Sequence, residues 1–469
     1  MSTEATPYEA LLSPSRLRES SFGDRDLETE MLSDKARIVT SAAFRRLQTK
    51  AQVFSLEKNA SVRTRLTHTL EVALFGELIA GKAFSLCTKD GLIDERFRVP
   101  FIKTVENACL LHDAGNPPFG HLGEFAICDW FSKNESRFKS RWRDFMDQAE
   151  VDAHYAAFKH FDGNPQGFRI VTRLQWLNDE FGLNLTCTLL AAIVKYLSVF
   201  PDKRNQLKRK VGFFETEQEI VRRVWGSLGL RIDSDGPAQR HPLTFLMEAA
   251  DDIAYCVSDI EDAIEKRVVA EEAFLEQIQG DVCKFIPKSG VLSSKNARFL
   301  GFRINLTRYL VDCAAEAYLA WHESILGGSF TSALLDLDPL AKEALRQLKH
   351  FAKAYIFSSR EAVEIELSGF RIVQSLLQGF RSLFLLPPDE FKRLLDGGHA
   401  HGEKALEKRL LTLLPNKHLL AYDDQVQKHP GVEPALRAHL LVDYVSGMTD
   451  SHAVKIFNML AGSSAGVSL

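Results

Sequence analysis

The chain has 469 residues, 45% hydrophobic and 26% charged, a balance that excludes disorder. Its 28 glycines and 16 prolines exclude a collagen-like sequence, and a net charge of −4 sets up no global field for nucleic acid or membrane. A chain this long buries a large core and is expected to form two or three domains, or one large one. The longest nearly apolar run, Cys187 to Phe200, is broken by Lys195 and falls short of the roughly 18–20 residues that cross a bilayer. The N-terminal segment has no basic stretch followed by an apolar one, so no secretory signal is read there. Cysteines 87, 109, 128, 187, 256, 283 and 313 are scattered and never in CxxC pairs. They read as reduced thiols of a cytoplasmic protein, with no disulfide or structural zinc framework.

In chain order, helical periodicity dominates and predicts an all-α, mostly helical fold with little strand. VFSLEK at 53–58 is a candidate short strand. Leu66, Leu70, Leu74 and Leu78 recur every four residues in a stretch free of turn residues except Gly, which predicts one long helix. VENACLLHDAG predicts a short apolar helix stopped by Gly115 as its C-cap. Further helical stripes lie at 188–199, at Leu243 to Ile264, and at 301–327, 340–358 and 370–385. Loops are expected at 132–168, 200–242, 285–297 and 386–404, and the tail AGSSAGVSL reads as loose. The basic run Lys203, Arg204, Lys208, Arg209 and Lys210 reads either as a solvated loop or as an anion site.

Three places along the chain carry chemistry. About one His-Asp pair is expected by chance in such a sequence, so His112-Asp113 gains weight only from its context. It ends an apolar helix and precedes Gly115-Asn116-Pro117-Pro118-Phe119-Gly120-His121. Burying both side chains beside Leu110 and Leu111 is costly unless a partner such as a metal ion offsets the desolvation. A capping Asp with a satisfied core His is the plain alternative. His68 sits inside the aliphatic helix upstream. Downstream, Asp251, Tyr255 and Asp259 are spaced i, i+4, i+8 and share one helix face. His68, His112, Asp113 and Asp251 together make a two-imidazole, two-carboxylate set that suits an octahedral ion such as Mn²⁺, Mg²⁺, Co²⁺ or Fe²⁺. Such a site keeps positions open for water and a phosphate oxygen, as metal-assisted phosphoester hydrolysis requires.

The order H…HD…D resembles the signature of the HD-domain metal-dependent phosphohydrolases. More closely, the chain resembles the deoxyguanosine-triphosphate triphosphohydrolase (dGTPase) family over residues 14–270. The resemblance rests on SRLR from Ser15, AFRRLQ from Ala43, QVF from Gln52, RTRLTH from Arg63, HDAGNPPFGHLGE from His112, GNPQGFRI from Gly163 and EAADDIAYCVSDIEDAIEKR from Glu248. It implies an N-terminal helical segment (1–60) contributing to the site and to oligomer contacts, an HD core (61–270) and a C-terminal helical region (271–469). It further implies that a deoxynucleoside triphosphate, dGTP foremost, is cut to deoxynucleoside and inorganic triphosphate. His121 would serve as proton donor or relay, with Glu124 three residues on orienting it. Arg65 would contact phosphate, Lys195 and Lys210 would steer the triphosphate, and Gln52, Val53, Tyr255 and Asp259 would surround the deoxynucleoside. A homo-oligomer, hexamers included, and single-stranded DNA as a candidate partner at 203–210 are implied as well. Some relatives carry histidines where this chain has Asn116 and Gly163, so roles those histidines play do not transfer. Two other readings stay open: a different HD nucleotide phosphohydrolase, and a nucleotide- or DNA-responsive oligomer with weak activity.

Overall fold

The computed structural model describes residues 7–20, 23, 25–176, 179–199, 210–233, 236–287, 297–397 and 404–463. Helices dominate. Two antiparallel two-residue strands, Ile232–Asp233 and Gly236–Pro237, form the one named sheet among the described residues. The longer helices, with the shorter ones used below, are α1 (Leu27–Thr40), α2 (Arg65–Lys89), α3 (Arg98–Leu111), α4 (Gly120–Trp142), α5 (Gln148–Lys159), α6 (Gly163–Arg169), α7 (Cys187–Ala192), α8 (Gln218–Ser227) and α9 (Thr244–Glu265). After them come α10 (Ala297–Ala320), α11 (Pro339–Phe351), α12 (Arg360–Gly379), α13 (Asn416–Lys428), α14 (Glu433–Ser446) and α15 (Asp450–Leu460). None of them is long and apolar enough to cross a membrane.

The buried side chains form two hydrophobic clusters. The first packs α2 against α3, α9 and α10, with Phe84, Phe101, Val105, Leu246, Ile253 and Phe302 at its centre. The second joins α4 and α5 to α12 and α14 through Trp130, Phe131, Phe138, Trp142, Tyr155 and Phe158. Both clusters draw on stretches far apart in sequence. They are tied by a buried ionic knot: Arg169 of α6 reaches Glu217 at 2.7 Å and Asp443 of α14 at 2.9 Å, and Gln166 also donates to Asp443. Each of these charges is paired, which is what makes their burial tolerable.

Several sequence expectations meet a different local physics. VFSLEK forms bends and turns, with Leu56 at φ 61°, and no strand. The expected loop at 132–168 is largely helical, because α4 runs on to Trp142 and α5 starts at a reciprocal Asp147–Glu150 capping box whose aromatic partners are buried. Within 200–242 lies α8, and within 386–404 lies the helix Pro388–Leu395. The apolar run after Cys187 stays helical only to Ala192. Residues 200–209, 288–296, 398–403 and 464–469 fall outside the described residues, and with them most of the tail and most of the basic run.

Gly115 is not a helix cap. The helix ends at Leu111, and Gly115 has no positive φ. A Cβ there would lie 2.0 Å from the Gly163 carbonyl and 2.1 Å from the Gly167 nitrogen, so the residue permits α6 to press against the turn after His112. Gly115→Ala should therefore destabilise the fold by about 1–3 kcal/mol, read as a lower chemical-denaturation midpoint at unchanged slope.

Candidate active site

The site begins at the first turn of α2. Thr64 caps it with a box in which Thr64 Oγ1 accepts from Thr67 N and Thr67 Oγ1 accepts from Thr64 N, an arrangement worth about 1 kcal/mol. Because the helix starts there, Arg65 and His68 project from the same first turn. The Arg65 N–H also donates to the Lys50 carbonyl at 2.9 Å, which folds the 51–64 loop back and sets Gln52 and Val53 beside them. The end of α3 supplies His112 and Asp113. Helix α9 supplies Asp251, Tyr255 and Asp259 on one face.

His68, His112 and Asp251 bring one potential ligand atom each within 4.8 Å of one another. Asp251 Oδ1 lies 3.5 Å from His112 Nε2 and 3.9 Å from His68 Nε2. Asp113 Oδ1 is 3.6 Å from His112 Nε2, although Asp113 stands outside that closest triplet. Its two oxygens also accept from Arg65 Nη1 at 2.5 Å and from Asn116 Nδ2 at 2.6 Å. Lys195 Nζ sits on Asp251 Oδ2 at 2.8 Å, so Oδ1 is the oxygen turned toward the imidazoles.

The donor set fits a divalent ion. His112 Nδ1 is 2.7 Å from the Cys109 carbonyl, an acceptor, which fixes the N–H there and leaves Nε2 as a lone pair. That Nε2 is buried with no partner and faces a carboxylate oxygen that also carries only lone pairs. Two acceptors buried face to face repel unless a cation lies between them. Burial pushes the Asp251 carboxyl up, yet Lys195 above all holds it well below the usual range. Asp113 is likewise held well below it, chiefly by Arg65, against its burial. His68, despite desolvation, is raised by Asp251 and Asp113.

All of these groups line one cleft of about 480 Å³, together with Gln52, Val53, His121, Glu124, Lys210, Tyr255 and Asp259. His121 opens α4 with a side chain 76% exposed, and its Nδ1 lies 2.8 Å from Glu124 Oε2. Glu124 Oε1 accepts from the Gly163 N–H at 2.8 Å, so the carboxylate is held at both ends and the ring is aimed. The Glu124 hydrogen bond is the main cause that raises the His121 pKa. Lys210 pairs with Asp162 at 3.6 Å. Asn116 and Gly163 are sterically linked, since a Cβ on Gly163 would fall 2.0 Å from Asn116 Oδ1.

The cleft also holds residues that no sequence motif announced. Lys349 pairs with Asp252 at 2.7 Å, Phe357 faces the Tyr255 ring at 6.4 Å, and Glu366 is near enough to feel the charge of His121. Deeper support comes from Lys50 and Asp450. Buried Lys50, pushed down to about 7 by desolvation, donates to the carbonyls of Asn116 and Ser446. Asp450 of α15 accepts from Ala51 N and from Phe119 N, both at 3.1 Å. Phe119 has φ 62°, at a cost of roughly 1–2 kcal/mol for a non-glycine residue. Its ring packs where a Cβ on Gly369 of α12 would otherwise stand.

Comparison with known proteins follows the same geometry. Residues 65–162 match the HD domain family. The deoxyguanosinetriphosphate triphosphohydrolase of Yersinia enterocolitica is 35% identical over 91% of this chain and 93% of its own length. That of Serratia proteamaculans is 34% identical over 93% and 94%. The chain belongs to the deoxyguanosinetriphosphate triphosphohydrolase family. The HD match takes in His68, His112, Asp113, His121 and Glu124, while Asp251, Tyr255 and Asp259 lie beyond it within the full-length similarity.

Asp259 is fully buried with both carboxylate oxygens unpartnered, and Gln52 Oε1 is unpartnered as well. Burial raises the Asp259 pKa to about 7. A raised acid penalises the fold above its folded pKa and not below its unfolded one. Asp259→Asn should therefore stabilise the metal-free protein at pH 8, by up to about 4 kcal/mol from the shift, with the advantage vanishing near pH 4. Thermal melts of both proteins across that range check it.

Proposed function

We propose that this family member hydrolyses a deoxynucleoside triphosphate, dGTP first, into the deoxynucleoside and inorganic triphosphate. The observation that carries the reading is the convergence of two imidazoles and an aspartate in a cleft that also holds an aimed His–Glu pair and two unpartnered acceptors. A divalent ion, Mn²⁺ or Mg²⁺, held by His68, His112, Asp113 and Asp251 would supply positive charge for an α-phosphate oxygen and acidify a water molecule.

The remaining work is proposed for the chain's own side chains. His121, protonated and held by Glu124 through Nδ1, would present Nε2–H to the departing 5′-oxygen, for which an acid of matched pKa is worth about 10²–10⁴ in rate. Arg65 already places one guanidinium nitrogen on Asp113, and its planar fork has further donors for phosphate oxygens. Lys195 would add a second cationic donor from its place on Asp251, with Lys210 across the cleft. Gln52 and Asp259 would bond the 3′-hydroxyl, with Val53 and Tyr255 packing on the deoxynucleoside. A ribose 2′-hydroxyl would then meet the Tyr255 ring face with no partner, which favours deoxyribose. In this reading, segment 1–60 brings Gln52 and Val53, 61–270 brings the metal and phosphate groups, and 271–469 brings the wall of Lys349, Phe357 and Glu366.

We also propose that the chain works in the cytoplasm as a homo-oligomer, with single-stranded DNA as a candidate partner of the 203–210 segment. Leu70, Leu74 and Leu78 of α2 are 50%, 53% and 50% exposed, and Ile304 of α10 is 55% exposed. Leu74, Leu78 and Ile304 line a shallow, largely apolar groove of about 540 Å³. Such a patch marks an interaction surface. Leu74→Glu should reduce the assembled mass measured by light scattering while the isolated chain keeps its helical circular-dichroism signal.

Purified protein incubated with each dNTP or GTP and Mn²⁺ should release inorganic triphosphate, resolved by ion-exchange chromatography; pyrophosphate or monophosphate would overturn the proposed cut. His121→Ala should lose most turnover yet keep bound metal. The Glu124 bond raises the His121 pKa, so Glu124→Gln lowers it and depletes the acid form earlier. The alkaline limb of kcat/KM should move to lower pH in that variant.

A further inference from the structure

A second polar cavity, of about 320 Å³, lies between the short helix Ala42–Arg46, the first turn of α13 and the junction of α14 with α15. Its walls include Arg46, His418, Tyr444, Gly447, Thr449 and His452, and among the described residues no Asp or Glu lines it. The walls are rich in donors that find no acceptor. Arg46 has no ion pair among the described residues, and its one side-chain bond is a long 3.4 Å contact from Nη1 to the Gly447 carbonyl. Burial and then the neighbouring Arg45 pull its pKa down. His418 is 5% exposed, and its Nδ1 is buried without a hydrogen-bond partner among the described residues. Burial lowers it to about 4, so near neutral pH it is an uncharged ring with one N–H to give. Tyr444 lines the same wall.

The nearest acids are already engaged. Asp443 is taken by Arg169 and Gln166, and Asp450 accepts from the Ala51 and Phe119 backbones. The N-terminal end of α15, an eleven-residue helix capped by Thr449, opens on the same cavity and adds its positive pole. A half-buried guanidinium without a counter-ion beside a buried imidazole nitrogen without a partner is unfavourable in isolation. An oxyanion would satisfy both at once, with the Arg46 fork supplying paired donors.

We propose that this cavity binds a phosphate group. It is separate from the cleft that holds His68 and His112, and the two are joined through Lys50, whose Nζ donates to Ser446 O on one side and to Asn116 O on the other. The shared chemistry is that of a phosphate oxyanion, and its source is either a free phosphate compound or a nucleic-acid backbone.

The test is a titration of metal-free protein carrying ¹⁵N-labelled histidine with inorganic phosphate, read at the imidazole resonances without any turnover. His418 and His452 signals should shift and saturate. Arg46→Met should weaken that binding by about tenfold or more, the scale of one lost charged hydrogen bond. The exposed His452→Gln should weaken it severalfold, which keeps the test open if Arg46→Met fails to fold. Arg65→Met, in the other cleft, should leave it unchanged. Competition by inorganic tripolyphosphate but not by a short oligothymidylate assigns the site to free phosphates, and the reverse assigns it to a backbone. Signals that stay fixed under phosphate, that respond equally to chloride, or that shift identically in both cavity variants would overturn the proposal.

Discussion

Buried charge must be paired, and that constraint organises this protein. Asp251 and Asp113 lie in a helical interior where an isolated carboxylate would be far too costly. Each is held ionised by a specific cation, Lys195 for one and Arg65 for the other. What those pairings leave over is one carboxylate oxygen facing the unpartnered Nε2 of His112. That gap between imidazole and carboxylate has the donor chemistry of a hard to borderline divalent ion.

The two hydrophobic clusters matter to this site because each holds part of it. The first cluster fixes α2, α3 and α9, and hence His68, His112 and Asp251, as rigid helical positions. The second supplies α4 with His121 and Glu124 and α12 with Glu366, and it is braced on the site by Phe119 packed on Gly369 and by Asp450 bonded to the Ala51 and Phe119 backbones. His121 and Gln52 therefore depend on C-terminal helices that carry none of the HD signature. Lys50 runs between the same partners, a buried amine pushed down to about 7.

Most of the site is legible in sequence because helical spacing turns order into geometry. Asp251, Tyr255 and Asp259 share a face by their four-residue steps, and Glu124 reaches His121 by its three-residue step. The metal-ligand, proton-donor and substrate-contact candidates read from the sequence all line one cleft. Lys349, Phe357, Glu366 and Asp450 left no such trace, since their contacts arise from packing between segments far apart in the chain, 97 residues for Lys349 and Asp252. Gly115 shows the same limit: its position after an apolar helix suggests a cap, whereas its real role is a close approach to Gly163. The 132–168 stretch misled for a different reason. Many of its polar residues face solvent, and the buried aromatics between them pack on one another and on the C-terminal helices.

The most direct test of the account is an anomalous difference map from crystals soaked in Mn²⁺ and recorded at the manganese edge. The account predicts one strong peak within about 2.5 Å of His68 Nε2, His112 Nε2, an Asp113 oxygen and Asp251 Oδ1, a bonding distance for such ions. A peak elsewhere in the molecule with none between those four side chains would contradict it.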